Sequence, residues 1–190
     1  MTVSFKQVQS NEKPNEIDVT SSPNGVYYRR NIKSVEVETE SNGIVTRWNY
    51  QEAFMTFDEW EEYEMTVLSK KLNEEDNSAE FEEYAEKLRT GVTYLNGKKY
   101  KPIWHKIYSS IIDEFEPKIN LYKLAGQDVT PFLAIQTYIY DETGKFANAE
   151  LMNIKQVIDL WLFLYQKKEE YYGEYKAAKE ADKVEAEEEE

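Results

Sequence analysis

The chain contains no cysteine, one histidine and seven glycines among 190 residues. Without cysteine there is no disulfide, no thiolate nucleophile and no sulfur ligand for a metal, and the redox compartment is left open. A lone histidine, His105, cannot build the nitrogen clusters of zinc or copper sites. It has no nucleophile motif for company, and its place between Trp104 and Lys106 reads as structural. The glycines form no phosphate-cradling pattern. No apolar run approaches the length of a membrane span. The opening Met-Thr-Val-Ser-Phe-Lys lacks the apolar core of a signal peptide. These absences lead to the expectation of a soluble protein, made and at first kept in the producing cell, with no metal, no cofactor and no membrane partner.

Bases are scarce as well. Lysine and arginine number 23 against 37 acids, a net charge of −14. Such a chain repels nucleic acid and anionic membranes, so no nucleic-acid partner is expected. Residues 179–190 hold seven acids and two lysines, contributing −5 and leaving −9 for the body. This end reads as a solvated, disordered acidic tail over 181–190, far more readily than as a DNA mimic. Carboxylates are too numerous to mark a catalytic pair. Glu64 stands out because helical geometry sets it among Trp60, Val67 and Leu68, where a rim position or a lysine partner is expected. The acidic stretch Asn73–Asn77 lacks the spacing and glycine of a calcium loop.

What the chain has in quantity is amphipathic pattern. Asn153 followed by Gln156 resembles a capping box, and Ile154, Val157, Ile158, Trp161, Leu164 and Tyr165 then recur at helical spacing. Leu160–Tyr165 is apolar on every side, which predicts a fully covered turn and a half within a long closing helix that runs to about Lys179. Thr56 with Glu59 is a second capping box, opening a helix to about Leu72. Phe81, Tyr84, Ala85 and Leu88 predict another, stopped by Gly91. Pro102 opens a helix through Phe115 that Pro117 breaks, and a short helix follows to Gly126.

Residues 1–25 read as a loose polar arm with a short strand near Thr2–Val8. The alternating Val35-Glu-Val-Glu38, the Ser41-Asn-Gly43 turn and Ile44–Tyr50 predict a hairpin. A second, with a two-residue loop at Asn96-Gly97, joins Val92–Leu95 to Lys98–Lys101. Thr130-Pro131 suggests a helix over 130–140, although Ile135–Tyr140 is rich in strand formers, and Asp141–Leu151 reads as a loop. The fold class is α+β: short antiparallel hairpins packed on a mainly helical body with a long C-terminal helix. The expected organisation is an arm (1–25), a hairpin-plus-helix unit (26–90), a second such unit (91–180) and the acidic tail (181–190).

The chain carries 15 Tyr, 8 Phe and 4 Trp. Most lie on helix faces, where core filling explains them. Tyr27-Tyr28 and Tyr171-Tyr172 are adjacent pairs, and neighbours on a strand or helix cannot both face one core. Beyond Gln166 the closing helix is charged, with Tyr171, Tyr172 and Tyr175 as its main apolar residues. That mixture suits an interface, where tyrosine gives contact area and a polar tip. Tyr27, Tyr28, Tyr171, Tyr172 and Tyr175 are therefore the candidate partner-binding residues. No catalytic residue is expected.

The stretch Val26-Tyr-Tyr-Arg-Arg-Asn-Ile32, the hairpin, and Trp48-Asn-Tyr-Gln-Glu-Ala-Phe-Met-Thr-Phe-Asp-Glu-Trp-Glu-Glu-Tyr63 resemble an N-terminal pattern of small tail-region proteins in phages and prophages of Gram-positive bacteria. Asn96-Gly-Lys-Lys-Tyr100, the helix after it and the closing Tyr-Gly-Glu-Tyr-Lys are similar to a helical domain attached to phage tail-fibre and tail-accessory proteins. The resemblance covers residues 26–65 and 94–180 and carries no catalytic signature; the first 25 residues and the acidic tail depart from it. It implies a non-enzymatic tail accessory protein associated with fibre or baseplate. Its partners would be fibre, baseplate or receptor-binding proteins, and its location the virion or the host cytoplasm. The alternatives are an assembly chaperone for the fibre or receptor-binding protein, and an acidic DNA-mimic inhibitor.

Overall fold

The computed structural model describes residues 3–22, 24–38, 43–72, 78–129 and 133–188, with side chains through Asp182. The fold is α+β, with two antiparallel sheets and a long C-terminal helix. The chain forms two compact units, Met1–Tyr63 and Glu64–Glu190. The boundary falls inside helix α1 (Phe57–Lys71).

The first unit is built on a long antiparallel ribbon, β3 (Gly25–Glu38) with β4 (Ile44–Thr56). Strand β1 (Lys6–Ser10) adds to β4 and β2 (Ile17–Asp18) adds to β3, giving the order β1-β4-β3-β2. The short strand expected near Thr2–Val8 is present as Lys6–Ser10, and the loose-arm reading of 1–25 is corrected for Ile17–Asp18, which also joins the sheet. Lys6, Gln7 and Gln9 gave no alternating apolar signal because β1 is held through its backbone ladder. The ribbon itself is longer than the sequence suggested, while Ser41 and Asn42 of the expected Ser41-Asn-Gly43 turn lie outside the described residues.

A bulge interrupts the ribbon between Arg30 and Lys33. There Asn31 takes a left-handed φ of 56°, a conformation asparagine tolerates better than most side chains. Its Nδ2 donates to Gln51 Oε1 at 3.0 Å, and Arg30 Nε donates to the same oxygen at 3.0 Å. The capping box at the start of α1 is formed as expected. Glu59 Oε2 accepts from the Thr56 backbone N–H at 2.8 Å, and Thr56 Oγ1 accepts from the Glu59 N–H at 3.3 Å.

The second unit contains α2 (Ala79–Thr90), β5 (Val92–Thr93), β6 (Lys99–Tyr100), a 3-10 turn at Pro102–Trp104, α3 (His105–Leu124), β7 (Ala134–Tyr140), β8 (Phe146–Asn153) and α4 (Ile154–Glu188). Its sheet runs β5-β6-β7-β8, all antiparallel. Helix α4 packs on both α2 and α3. Phe81, Tyr84 and Leu88 of α2, Trp104, Ile107 and Tyr108, and Ile154, Val157, Leu160 and Leu164 of α4 are all buried. Trp104 lies 5.0 Å from the Tyr138 ring, and Tyr108 Oη accepts from the buried Tyr138 N–H at 3.4 Å.

Several expectations change here. Residues 134–140 are strand, not helix, and most of the expected 141–151 loop is the partner strand β8. Tertiary pairing decided in favour of the β-branched and aromatic residues: Ile135, Thr137, Tyr138 and Tyr140 are buried while Gln136 is exposed. The helix start proposed at Thr130-Pro131 lies outside the described residues, as does the acidic loop Asn73–Asn77.

Pro117 does not break α3, which continues to Leu124. Pro117 and Asp113 are both exposed, so the carbonyl that loses its donor can turn to water. The hairpin at Asn96-Gly97 has a three-residue loop rather than two. Tyr94 N–H donates to Lys98 O at 2.8 Å and Gly97 N–H to Tyr94 O at 2.9 Å, with Gly97 at φ 76°. The β7–β8 turn repeats this geometry, with Asp141 N–H to Lys145 O at 2.9 Å, Gly144 N–H to Asp141 O at 3.1 Å and Gly144 at φ 75°.

The capping box of α4 is formed: Asn153 N–H donates to Gln156 Oε1 at 2.9 Å and Gln156 N–H to Asn153 Oδ1 at 3.0 Å. Its Leu160–Tyr165 turn is not covered all round, because Leu162 is 45% and Tyr165 39% exposed. The disordered tail is also corrected, since the helix runs on to Glu188.

Candidate interaction surfaces

Tyr27 and Tyr28 sit side by side on β3 and point to opposite faces of the first sheet, as the strand pleat requires. Tyr27 stands over its cross-strand partner Phe54, centroids 5.2 Å apart, and beside the Arg29 guanidinium. Arg29 in turn reaches Glu52 at 2.6 Å and Asp18 at 3.1 Å. Burial pushes the Asp18 carboxyl up, but bonds from Ser21, Thr20 and Arg29 outweigh it, so it titrates below its ordinary range. Tyr28 packs on Phe5 and Tyr63 and donates to Glu16 Oε1 at 3.2 Å. Both tyrosines are half-buried within their own sheet.

The free surface of this unit lies farther along the ribbon. Strand β1 covers β4 only over Trp48–Glu52, and β2 covers β3 only at Tyr27–Tyr28. Farther along, residues 35–38 and 44–47 pair only with one another among the described residues. That end of the ribbon is two-stranded, with both edges unpaired. Val35 and Val37 share a face with Val45, while Ile44 lies on the other face. Val35 and Val45 are each 39% exposed and Ile44 is 68% exposed. Sequence reasoning found these residues as strand formers and missed their exposure. The alternation specifies a face; it does not say whether a third strand covers it.

In the second unit the α4 tyrosines meet α2. Tyr175 is 8% exposed, stacks on Tyr84 at 5.5 Å and abuts Phe81 at 6.5 Å. Tyr172 lies 6.0 Å from Tyr84, and Tyr171 sits beside the Lys87 ammonium. Lys87 bridges Glu83 at 2.7 Å and Glu174 at 2.9 Å, and those two carboxylates raise its pKa. Lys179 donates to Ser78 at 3.4 Å. The second half of α4 is therefore laid along α2. Tyr175 is a core residue of its unit; Tyr171 and Tyr172 keep part of their surface open.

Glu80, Glu83, Lys87, Tyr171 and Glu174 line a shallow cleft of about 50 Å³ along this seam. Tyr84 contributes to its wall. The Tyr84 hydroxyl is buried with no hydrogen-bond partner among the described residues, and burial raises its pKa, with a further push from Glu169.

Two further polar groups serve the fold. Glu64 is 4% exposed and pairs with Lys106, the lysine partner expected for it. Glu150 accepts from Lys98, Tyr100 and Asn96, tying the β5–β6 hairpin to β8. Burial opposes ionisation of Glu150, yet these donors hold its pKa below the ordinary value.

No protein family, curated protein or solved structure matches this chain. The surfaces themselves are then the guide. Among the described residues, no group of three or more His, Asp and Glu side chains could hold a metal, and no helix is long and apolar enough to cross a membrane.

Proposed function

We propose that this chain is a non-enzymatic accessory protein of a phage tail, associated with the fibre or baseplate, and that it works by presenting surfaces to other tail proteins. The observation that carries the contact role is the two-stranded end of the β3–β4 ribbon. Its edges are unpaired among the described residues, and Val35, Ile44 and Val45 stand exposed there. An open edge with apolar side chains favours pairing with another chain. The tail assignment is supported by the resemblance of the Arg-Asn-Ile and Trp-Asn-Tyr-Gln-Glu-Ala stretches, which in this fold are the bulge and the facing strand.

The test is mass spectrometry of purified particles, joined to co-purification with fibre and baseplate proteins. Peptides of this chain in fixed ratio to the fibre are expected. Val35→Asp combined with Ile44→Asp is expected to abolish co-purification with the circular dichroism spectrum unchanged. A chain found only in the producing cell, with the fibre insoluble in its absence, would reassign it as an assembly chaperone. Competition with DNA for a nuclease or polymerase would reassign it as a mimic.

A further inference from the structure

Helix α4 carries two apolar faces. Ile154, Val157, Leu160 and Leu164 form the first and are fully buried. The second lies roughly a quarter turn or more away around the helix, by the 3.6-residue period, and runs through Ile158, Leu162 and Tyr165. These three are exposed by 37%, 45% and 39%. Their steps of four and three residues are the spacing along which one helix meets another. Continuing the same steps outward reaches Lys155 at one end and Glu169 at the other, both exposed. Each lies seven residues from Leu162 (162 − 155 and 169 − 162). The stripe is thus apolar at its centre, with a cation at its N-terminal end and an anion at its C-terminal end.

A stripe with that order is complementary to itself only when reversed. Two copies crossing antiparallel at Leu162 set Lys155 of each opposite Glu169 of the other, and Ile158 opposite Tyr165. A parallel pair would set lysine on lysine and glutamate on glutamate. We propose that α4 pairs antiparallel with α4 of a second copy of this chain, about a two-fold axis at Leu162. Such a contact is isologous and closes at the dimer. Among the described residues Glu169 receives Lys168 at 2.7 Å through Oε1, which leaves its other oxygen for Lys155 of the second copy.

Light scattering on the full-length chain across a micromolar concentration range tests this. The wild type is expected at twice its 22.5 kDa mass. Leu162→Asp, Lys155→Glu and Glu169→Lys are each expected to lower dimer affinity at least tenfold. Lys155→Glu with Glu169→Lys in one chain is expected to restore it, because the exchanged charges again oppose across an antiparallel pair and would clash across a parallel one. Circular dichroism checks the fold of every variant. If Leu162→Asp loses helix, the two charge variants and their combination decide alone, since both positions are exposed. A wild type that is monomeric throughout, a dimer that survives the single changes, or a double exchange that fails to restore pairing would each overturn the proposal. This inference does not rest on the tail assignment. Absence from particles would overturn that assignment and leave the dimer standing, and a monomer would do the reverse.

Discussion

Asn31 holds a backbone conformation that most side chains resist, with φ 56°. Left-handed geometry costs an ordinary L-residue about 1–2 kcal/mol. Asn31→Val is therefore expected to lower stability by about that amount, and Asn31→Gly by less, since glycine adopts the angle freely. Denaturant midpoints would separate the two; equal effects would mean that the bulge relaxes. His105 is half-buried and its Nδ1 lies 3.0 Å from Pro102 O. Burial pulls its pKa down to about 4 from 6.5, against the opposing pull of the Pro102 carbonyl. The unfolded chain therefore binds a proton between pH 6.5 and about 4 that the folded chain does not, and stability falls as pH falls through that window. His105→Gln is expected to flatten that part of the stability–pH curve, measured as melting temperature against pH. An unchanged slope would assign the acid sensitivity to the carboxylates.

The element that most rewards mutation is α4. Its second half reads from composition as too polar for a core, yet Tyr175 is buried between Phe81 and Tyr84 of α2. Tyr175→Ala is expected to cost about 3 kcal/mol, as truncation of a buried aromatic does. Tyr171→Ala, at a half-buried position beside Lys87, should cost under about 1 kcal/mol. Thermal melts would measure both. Equal small losses would mean that the α2–α4 seam is not a cohesive part of the unit.

For the whole molecule the dominant quantity is charge, −14 over 190 residues. Residues 183–190 supply five glutamates and one lysine, a net −4. Residues 183–188 form the C-terminal end of α4, where the helix dipole disfavours anions. Removing residues 183–190 should leave the melting temperature unchanged or slightly raised, with the rise shrinking as salt is added. A clear fall would mean that this end is held by tertiary contacts. Asp182 stays in the truncated chain as the last residue whose side chain is described. A chelator is expected to leave the melting temperature where it is, since no ligand cluster is found among the described residues.

Local chemistry was legible wherever a short segment determines its own outcome. Both capping boxes, Thr56 with Glu59 and Asn153 with Gln156, were readable because donor and acceptor lie three residues apart in the chain. The helical stripe of α2 and the helical start at Pro102 followed from spacing in the same way. What the tertiary structure alone decided involves partners distant in sequence. Ile135–Tyr140 became a strand because β6 and β8 border it on either side. Ile17–Asp18 joined the sheet through a two-residue pairing with β3 to which side-chain pattern is blind. The candidate surfaces were hidden for a related reason. Val35 and Leu162 are apolar whether covered or bare, and only the arrangement of neighbouring elements leaves them open to water. Tyr175 went the opposite way: its charged sequence surroundings pointed outward, while α2, some ninety residues earlier in the chain, supplied the ring that buries it.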